Sequence, residues 1–143
     1  MNILYSTLFG SKLYGTDSEL SDNDYKTIYL PTLDECVTQK IKNTIQNKTT
    51  EYEEEIFSLQ YFLKLACEGQ SCCIDMVHSK DWIVTSDIWK ELYKNRSRFY
   101  TKTMPAYFGY CRQQAHKYKD ATKRLNVLKT ILECLKQHLT ITP

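Results

Sequence analysis

The stretch GSKLYGTDSELSDNDYKTIYLP, residues 10–31, gives the clearest structural signal in this chain. Residues 3–9 before it (ILYSTLF) are rich in β-forming side chains and lead into Gly10, which predicts a first strand followed by a turn. Residues 24–30 (DYKTIYL) regain β character and stop at Pro31, which predicts a second strand. The residues between them are mostly Gly, Ser, Thr, Asp and Asn and are typical of a loop. The stretch therefore predicts a strand, a long loop and a second strand.

Two acidic residues, Asp22 and Asp24, stand at the start of the second predicted strand. Residues i and i+2 of a strand point to the same side, so the two carboxylates should share one surface. Mg²⁺ (or Mn²⁺), a hard cation that prefers oxygen ligands, is the natural counter-charge. Gly10 permits a close approach, and Ser11 with neighbouring backbone N–H groups can hold a phosphate. An acidic loop closed by its own hydrogen bonds would show the same pattern, so this motif alone does not decide the function.

A third strand is predicted from Glu51 to Phe57, and four of its residues are glutamates. By the same alternation Glu53 and Glu55 share one face. If this strand lies beside the second, one of them completes a two-metal carboxylate cluster, and we expect Glu55, with Glu53 as its rival. Lys26 falls on the face of Asp24, where a phosphate contact and an ion pair with an acid are equally consistent with its position.

The remaining segments are predicted to be mostly helical. Apolar residues recur at helical spacing after Ser58 and stop at Gly69, which predicts a helix there. Thr32 and Glu35 have capping-box spacing for a short helix. We further predict a helix over residues 86–93, a strand or helical turn over 72–77, an exposed connection over 40–50, a longer helix opened by residues 103–105 and a last amphipathic helix with a leucine seam.

Charge is distributed unevenly along the chain. Residues 1–89 carry 7 Lys and Arg against 14 Asp and Glu, a balance of −7, and residues 90–143 carry 12 against 3, a balance of +9. The basic half suggests an anionic partner, although two solvated faces that attract each other would give the same counts. A basic strip with interleaved tyrosines suits phosphate contacts and base stacking: Arg112, His116, Lys119, Lys123 and Arg124. A solvated helix face with tyrosines packed in the core would give the same pattern. Within the strip, the candidates for acceptor binding are Arg112, Lys119 and Lys123.

Length and composition limit the class of protein. At 143 residues the chain fits one domain, which we divide into a core of residues 1–84 and a basic helical portion of residues 85–143 packed on it. No apolar run is long enough for a leader or a membrane span, so we expect a cytoplasmic protein without a membrane partner. The six cysteines form no CxxC pair, so we expect reduced thiols rather than a zinc site.

The Gly10-Ser11 turn followed by Asp22-Asn23-Asp24 resembles the signature of the nucleotidyltransferases of the DNA polymerase β superfamily. The fuller stretch over residues 10–31 looks like a branch of predicted nucleotidyltransferases, found in bacteria and their viruses, that is associated with RNA repair. Residues 51–69 (EYEEEIFSLQYFLKLACEG) also resemble that branch, as do residues 108–124 more loosely. The likeness therefore touches most of the chain.

The resemblance implies an α+β nucleotidyltransferase fold, a small mixed β-sheet flanked by helices with a C-terminal helical portion. It implies that Asp22 and Asp24 bind metal, that Glu55 or Glu53 assists attack on the α-phosphate, and that Gly10 and Ser11 meet a nucleoside triphosphate. The reaction would transfer a nucleoside monophosphate to an acceptor hydroxyl, with RNA, tRNA or DNA as the preferred acceptor. Two alternatives stay open: a non-catalytic nucleic-acid-binding module, and an enzyme that modifies a protein or a small molecule.

Overall fold

Short β-forming segments of the N-terminal two thirds of the chain assemble into one mixed sheet. The structure is a computed structural model that describes residues 1–10, 12, 23–101, 109–110, 112–113 and 116. Its strands are β1 Asn2–Leu8, β2 Asn23–Leu30, β3 Thr44–Lys48, β4 Tyr52–Ser58 and β5 Trp82–Val84. They lie in the order β3-β4-β2-β1-β5, with β2 parallel to β4 and every other neighbouring pair antiparallel. The predicted α+β class with a small mixed sheet is confirmed.

Between residues 31 and 101, four α-helices and one 3₁₀ turn accompany the strands. They are α1 Leu33–Val37, α2 Leu59–Cys67, α3 Ser71–His78, α4 Asp87–Lys94 and the 3₁₀ turn Arg96–Phe99. The capping box predicted from Thr32 and Glu35 is present at α1. Hydroxyls of Ser58 and Ser86 cap α2 and α4, where they accept hydrogen bonds from backbone N–H groups of the first turn. Side-chain capping therefore fixes where these helices begin.

The hydrophobic core lies between one face of the sheet and the helices. Tyr5 of β1 stacks on Trp89 of α4 with ring centroids 3.8 Å apart, and Phe62 of α2 approaches the same indole at 5.6 Å. Ile28 and Phe57 complete the contribution of β2 and β4 to this core. The carboxyl-terminal halves of β2 and β4 are buried, whereas their amino-terminal halves, which carry the acidic residues, are partly exposed. The fold therefore leaves the acidic end of the two parallel strands accessible.

Three segments differ from the sequence-based expectation or go beyond it. The connection expected over residues 40–50 contains strand β3, so that prediction was wrong. Four of the five residues of β3 are exposed, and the strand has no alternation of apolar and polar residues that would reveal it in the sequence. Residues 72–77, for which strand and helix were both open, belong to helix α3. The three-residue strand β5 was not predicted, because a segment this short gives no periodic signal.

The basic C-terminal portion is described only in part. Residues 109–110, 112–113 and 116 are helical, and Arg112 and His116 are exposed. Tyr110 is 40% exposed. The rest of the two helices predicted from the sequence, including Lys119, Lys123 and Arg124, lies outside the described residues. Within the described part of the chain, no helix has the length and apolar character needed to cross a membrane.

Candidate active site

The parallel pairing of β2 with β4 brings the candidate acidic residues together. In this register Asp24 stands opposite Glu53, and Lys26 stands opposite Glu55. Because paired residues of neighbouring strands point to the same side of a sheet, these four charged side chains share one face. The sequence pattern predicted this face, while the register, which depends on tertiary pairing, determines which residues are opposite each other.

Strand β3 extends this face at the edge of the sheet. Gln46 is paired with Glu55 and Lys48 with Glu53 in the antiparallel register. Together with Phe9, just after β1, these strands line a cleft of about 230 Å³, and its lining includes Asp24, Lys26, Glu53 and Glu55. Sequence reasoning missed Gln46 and Lys48, because residues 40–50 were assigned to a connection. The only signal for them was that residues 46 and 48, two positions apart, would point to the same side of a strand.

The turn after β1 brings the backbone close to Asp24. The N–H of Phe9 donates to the carbonyl of Asp24 at 2.8 Å. Gly10 follows with φ of +64°, and a Cβ atom built on it would lie 3.1 Å from Oδ2 of Asp24. Any larger residue at this position would crowd the carboxylate. The missing side chain at Gly10 thus allows the turn to lie close to the carboxylate of Asp24.

Lys26 and Glu55 form an ion pair inside the cleft. The side chains are only 17% and 26% exposed. The ammonium lies over the rings of Phe9 and Phe57, with distances of 5.2 and 5.7 Å to the ring centroids. Gln46 donates from Nε2 to the other carboxylate oxygen of Glu55 at 3.2 Å. Both oxygens of Glu55 are therefore engaged by protein groups.

Glu53 has a weaker attachment. It pairs with Lys48 at the edge of the sheet, and the two side chains are 52% and 77% exposed. Exposed ion pairs of this kind contribute little free energy, because water screens the charges and the long side chains lose freedom. The carboxylate of Glu53 can therefore exchange Lys48 for another cation at small cost.

Glu54 belongs to the opposite face of the sheet. Its Oε1 lies 2.7 Å from the hydroxyl of Thr27, and its Oε2 accepts from Asn47 at 3.2 Å. The hydroxyl of Thr27 also lies 3.0 Å from that of Ser6. Both oxygens of Glu54 are thus engaged by Thr27 and Asn47, although Glu54 also contributes to the lining of the cleft.

Two adjacent cysteines at the start of α3 stand near the Lys26–Glu55 pair. Their sulfur atoms are 3.9 Å apart. The hydrogen bond from Cys73, opposed by burial and aided by the charge of Lys26, lowers the pKa of Cys72 to about 7. The same hydrogen bond, together with burial, raises the pKa of Cys73. Cys72 is thus the thiol of this pair that ionises first.

The other predicted site residues are described only in part. Asp24, Lys26, Glu53 and Glu55 line the cleft, and Gly10 lies beside Asp24. Ser11 and Asp22 lie outside the described residues, as do the candidate acceptor-binding residues Lys119 and Lys123. Among the described His, Cys, Asp and Glu residues, no three converge closely enough to hold a metal ion by themselves.

A second and larger cavity, of about 760 Å³, lies between α2 and α4. Its walls are largely apolar, with Leu63, Leu92 and Phe99, and its charged residues are Asp87, Glu91 and Arg98. It has neither a phosphate-binding turn nor paired carboxylates on one strand face. The smaller cleft is therefore the candidate active site.

Two comparisons identify similar proteins. The chain matches the RNA repair pathway DNA polymerase beta family over residues 1–142. It is also similar to an uncharacterized 38.9 kDa protein from the nrdC–mobD intergenic region of Enterobacteria phage T4, with 37% identity over 150 residues. That alignment covers 96% of this chain and 45% of the phage protein, so the chain spans somewhat less than half the length of this relative.

Proposed function

Because the chain belongs to the RNA repair pathway DNA polymerase beta family, we propose that it transfers a nucleoside monophosphate from a nucleoside triphosphate to an acceptor hydroxyl. The strongest structural support is the shared face of Asp24, Glu53 and Glu55 beside the turn at Gly10. RNA, including tRNA, is the preferred acceptor class. The family description refers to RNA repair, and the balance of +9 over residues 90–143 favours a polyanionic partner.

Mg²⁺ (or Mn²⁺) is the proposed cofactor, and the residues present fit it. The donors are carboxylate oxygens, which a hard divalent cation prefers, and the missing side chain of Gly10 leaves room beside Oδ2 of Asp24. Asp22, Asp24 and one glutamate of β4 would hold the cation. When bound, it lowers the pKa of the acceptor hydroxyl and neutralises charge on the triphosphate.

The residues of the chain would then perform separate tasks. The backbone at Gly10 and the hydroxyl of Ser11 hold phosphate oxygens, and the ammonium of Lys26 adds positive charge beside them. The acceptor oxygen bonds to the α-phosphorus while the bond to the pyrophosphate oxygen breaks, and pyrophosphate leaves. The β4 carboxylate accepts the hydroxyl proton. Most of the catalytic effect would come from position and charge.

Glu53 and Glu55 are both candidates for the third carboxylate. Glu53 stands opposite Asp24 and is held by an exposed lysine, whereas Glu55 stands opposite Lys26 and is held by two protein groups. Affinity for Mn²⁺ in the Glu53→Gln and Glu55→Gln variants distinguishes the two residues.

A non-catalytic nucleic-acid-binding module is the second candidate. The observation that favours it is that Glu53 and Glu55 both pair with lysines, so the cleft is partly neutralised by the protein itself. In that case RNA should bind with a steep dependence on salt, and the Asp24→Asn variant should bind it as well as the original protein.

The test is a transfer assay with each α-³²P-labelled nucleoside triphosphate, Mg²⁺ and separate tRNA, single-stranded RNA, DNA and protein acceptors. We expect label on RNA, reduced at least about 100-fold in the Asp22→Asn and Asp24→Asn variants. The Asp34→Asn variant, altered at an exposed aspartate of α1, is the matched control. Undiminished transfer by Asp24→Asn would refute the proposed site. Label on protein alone would show that the acceptor is a protein and not RNA. RNA binding without transfer of label would favour the binding module.

A further inference from the structure

The contacts of the Lys26–Glu55 pair hold both side chains in place. Glu55 stands directly opposite Lys26 in the register of β2 and β4, and the two charges form an ion pair. The second oxygen of Glu55 accepts from Gln46 at 3.2 Å. Both oxygens of the Glu55 carboxylate are therefore bound by residues of the two adjacent strands.

The surroundings of the lysine make this pair different from a surface ion pair. Rings of Phe9 and Phe57 lie 5.2 and 5.7 Å from the ammonium, and the Lys26 side chain is largely buried. Water screens such a pair less than an exposed one, and removal of one partner leaves the other charge poorly solvated. The position of the Lys26 ammonium thus depends on Glu55.

The ammonium is held where a triphosphate would need it. Lys26 follows Asp24 by two residues on the same face, a spacing of about 7 Å along a strand, and both line the cleft. An ammonium carries three N–H donors, so it can hold Glu55 and phosphate oxygens at the same time. Glu55 can therefore act beside Asp24 by holding the Lys26 ammonium, without binding the cation itself.

Resting on the nucleotidyl transfer proposed above, we infer that Glu55 is a positioning residue: it holds the Lys26 ammonium in the cleft for the triphosphate and does not bind the metal. The divalent cation then takes its third carboxylate from Glu53. That residue stands opposite Asp24, and its exposed pair with Lys48 is easily exchanged.

Two binding measurements on the full chain test this inference. Affinity for Mn²⁺ without nucleotide is measured by electron paramagnetic resonance. Affinity for the α,β-methylene analogues of ATP, CTP, GTP and UTP with Mg²⁺ is measured by calorimetry, and the analogue that binds most tightly is used further. The variants are Glu53→Gln, Glu55→Gln, Lys26→Met and the double variant of the last two. Glu68→Gln, at an exposed position after α2, is the control.

Glu55→Gln should weaken analogue binding about tenfold and leave Mn²⁺ binding within about twofold. Glu53→Gln should weaken Mn²⁺ binding about tenfold or more. The double variant should bind the analogue no more weakly than Lys26→Met alone, because Glu55 acts only through the lysine. Thermal unfolding of each variant establishes that it is folded.

Two results would overturn the inference. One is a loss of Mn²⁺ binding in Glu55→Gln as large as in Glu53→Gln, which would make Glu55 a ligand. The other is additivity of the Lys26 and Glu55 effects on analogue binding. If label transfer depends on Asp24 while either result is found, only this inference fails. If the original protein binds neither Mn²⁺ nor any analogue, the proposed function fails with it.

Discussion

Gly10 and Asp24 approach each other so closely that a Cβ atom on the glycine would lie 3.1 Å from Oδ2 of the carboxylate. The glycine also has φ of +64°, a conformation that costs other residues about 1–2 kcal/mol. The absence of a side chain at residue 10 thus allows the turn after β1 to lie close to the acidic start of β2.

Gly10→Ala should therefore impair both stability and the site. We expect the free energy of unfolding, measured in urea, to fall by about 1–2 kcal/mol because of the backbone strain. Mn²⁺ affinity should also fall, because the Asp24 carboxylate must move. Gly109→Ala is the matched control: a Cβ there meets no atom of the described residues within 4 Å. Unchanged Mn²⁺ affinity in Gly10→Ala would contradict the proposed role of this turn.

The aromatic stack of Tyr5 and Trp89 should dominate the stability of the core. Trp89 is fully buried, and its ring lies 3.8 Å from that of Tyr5. Trp89→Ala should lower the free energy of unfolding by about 3–5 kcal/mol. Trp89→Phe should cost clearly less, because within the described part of the chain the indole N–H has no hydrogen-bond partner to lose. Equal urea midpoints for the two variants would show that the indole ring is not tightly packed.

Stability should decline in mild acid because of His78. Its Nδ1 lies 2.8 Å from the carbonyl of Ile74 and its Nε2 lies 2.6 Å from the hydroxyl of Tyr100. Burial lowers the pKa of His78, and the nearby charge of Arg96 lowers it further. The unfolded chain therefore takes up a proton below about pH 6.5 that the folded protein resists, and the free energy of unfolding falls as the pH drops.

The His78→Gln variant should show a smaller loss of melting temperature between pH 7.5 and pH 5.5 than the original protein. His116→Gln, altered at an exposed histidine, should keep the original pH dependence. Parallel curves for His78→Gln and the original protein would assign the acid sensitivity to other groups.

Cys72 should react with iodoacetamide at neutral pH. Its pKa is lowered to about 7, chiefly by the hydrogen bond from Cys73. The alkylation rate, followed by tandem mass spectrometry, should reach half of its maximum near pH 7, because the thiolate is the reactive form. Cys73→Ala should move this midpoint upward, whereas Cys36→Ala, at an exposed and separate position, should not. A midpoint of about 8.5 or higher in the original protein would show that the hydrogen bond is ineffective.

The parts of the fold that were predictable carry local signals. The capping-box spacing of Thr32 and Glu35 marked the start of α1, and the spacing of apolar residues identified α2. Strand alternation placed Glu53 and Glu55 on one face before any pairing was known. Strand β3 was not predicted because its residues are nearly all exposed, and β5 was not predicted because it is only three residues long.

The contacts inside the site were less predictable, because they depend on the register between distant segments. Nothing in the sequence alone states that Asp24 faces Glu53 while Lys26 faces Glu55. Both roles considered for Lys26 were compatible with its strand position, and the ion pair became apparent only when β4 was placed beside β2. Local patterns thus predict which face carries the charges, and tertiary pairing determines their partners.

The most direct test of the proposed site is a crystal structure of the chain with Mn²⁺ and the α,β-methylene analogue that binds most tightly. The account predicts an anomalous Mn²⁺ peak bound by Asp22, Asp24 and a glutamate of β4, with the triphosphate against the Gly10 turn. A peak elsewhere, or an analogue bound in the apolar cavity between α2 and α4 while the carboxylates remain without Mn²⁺, would contradict it.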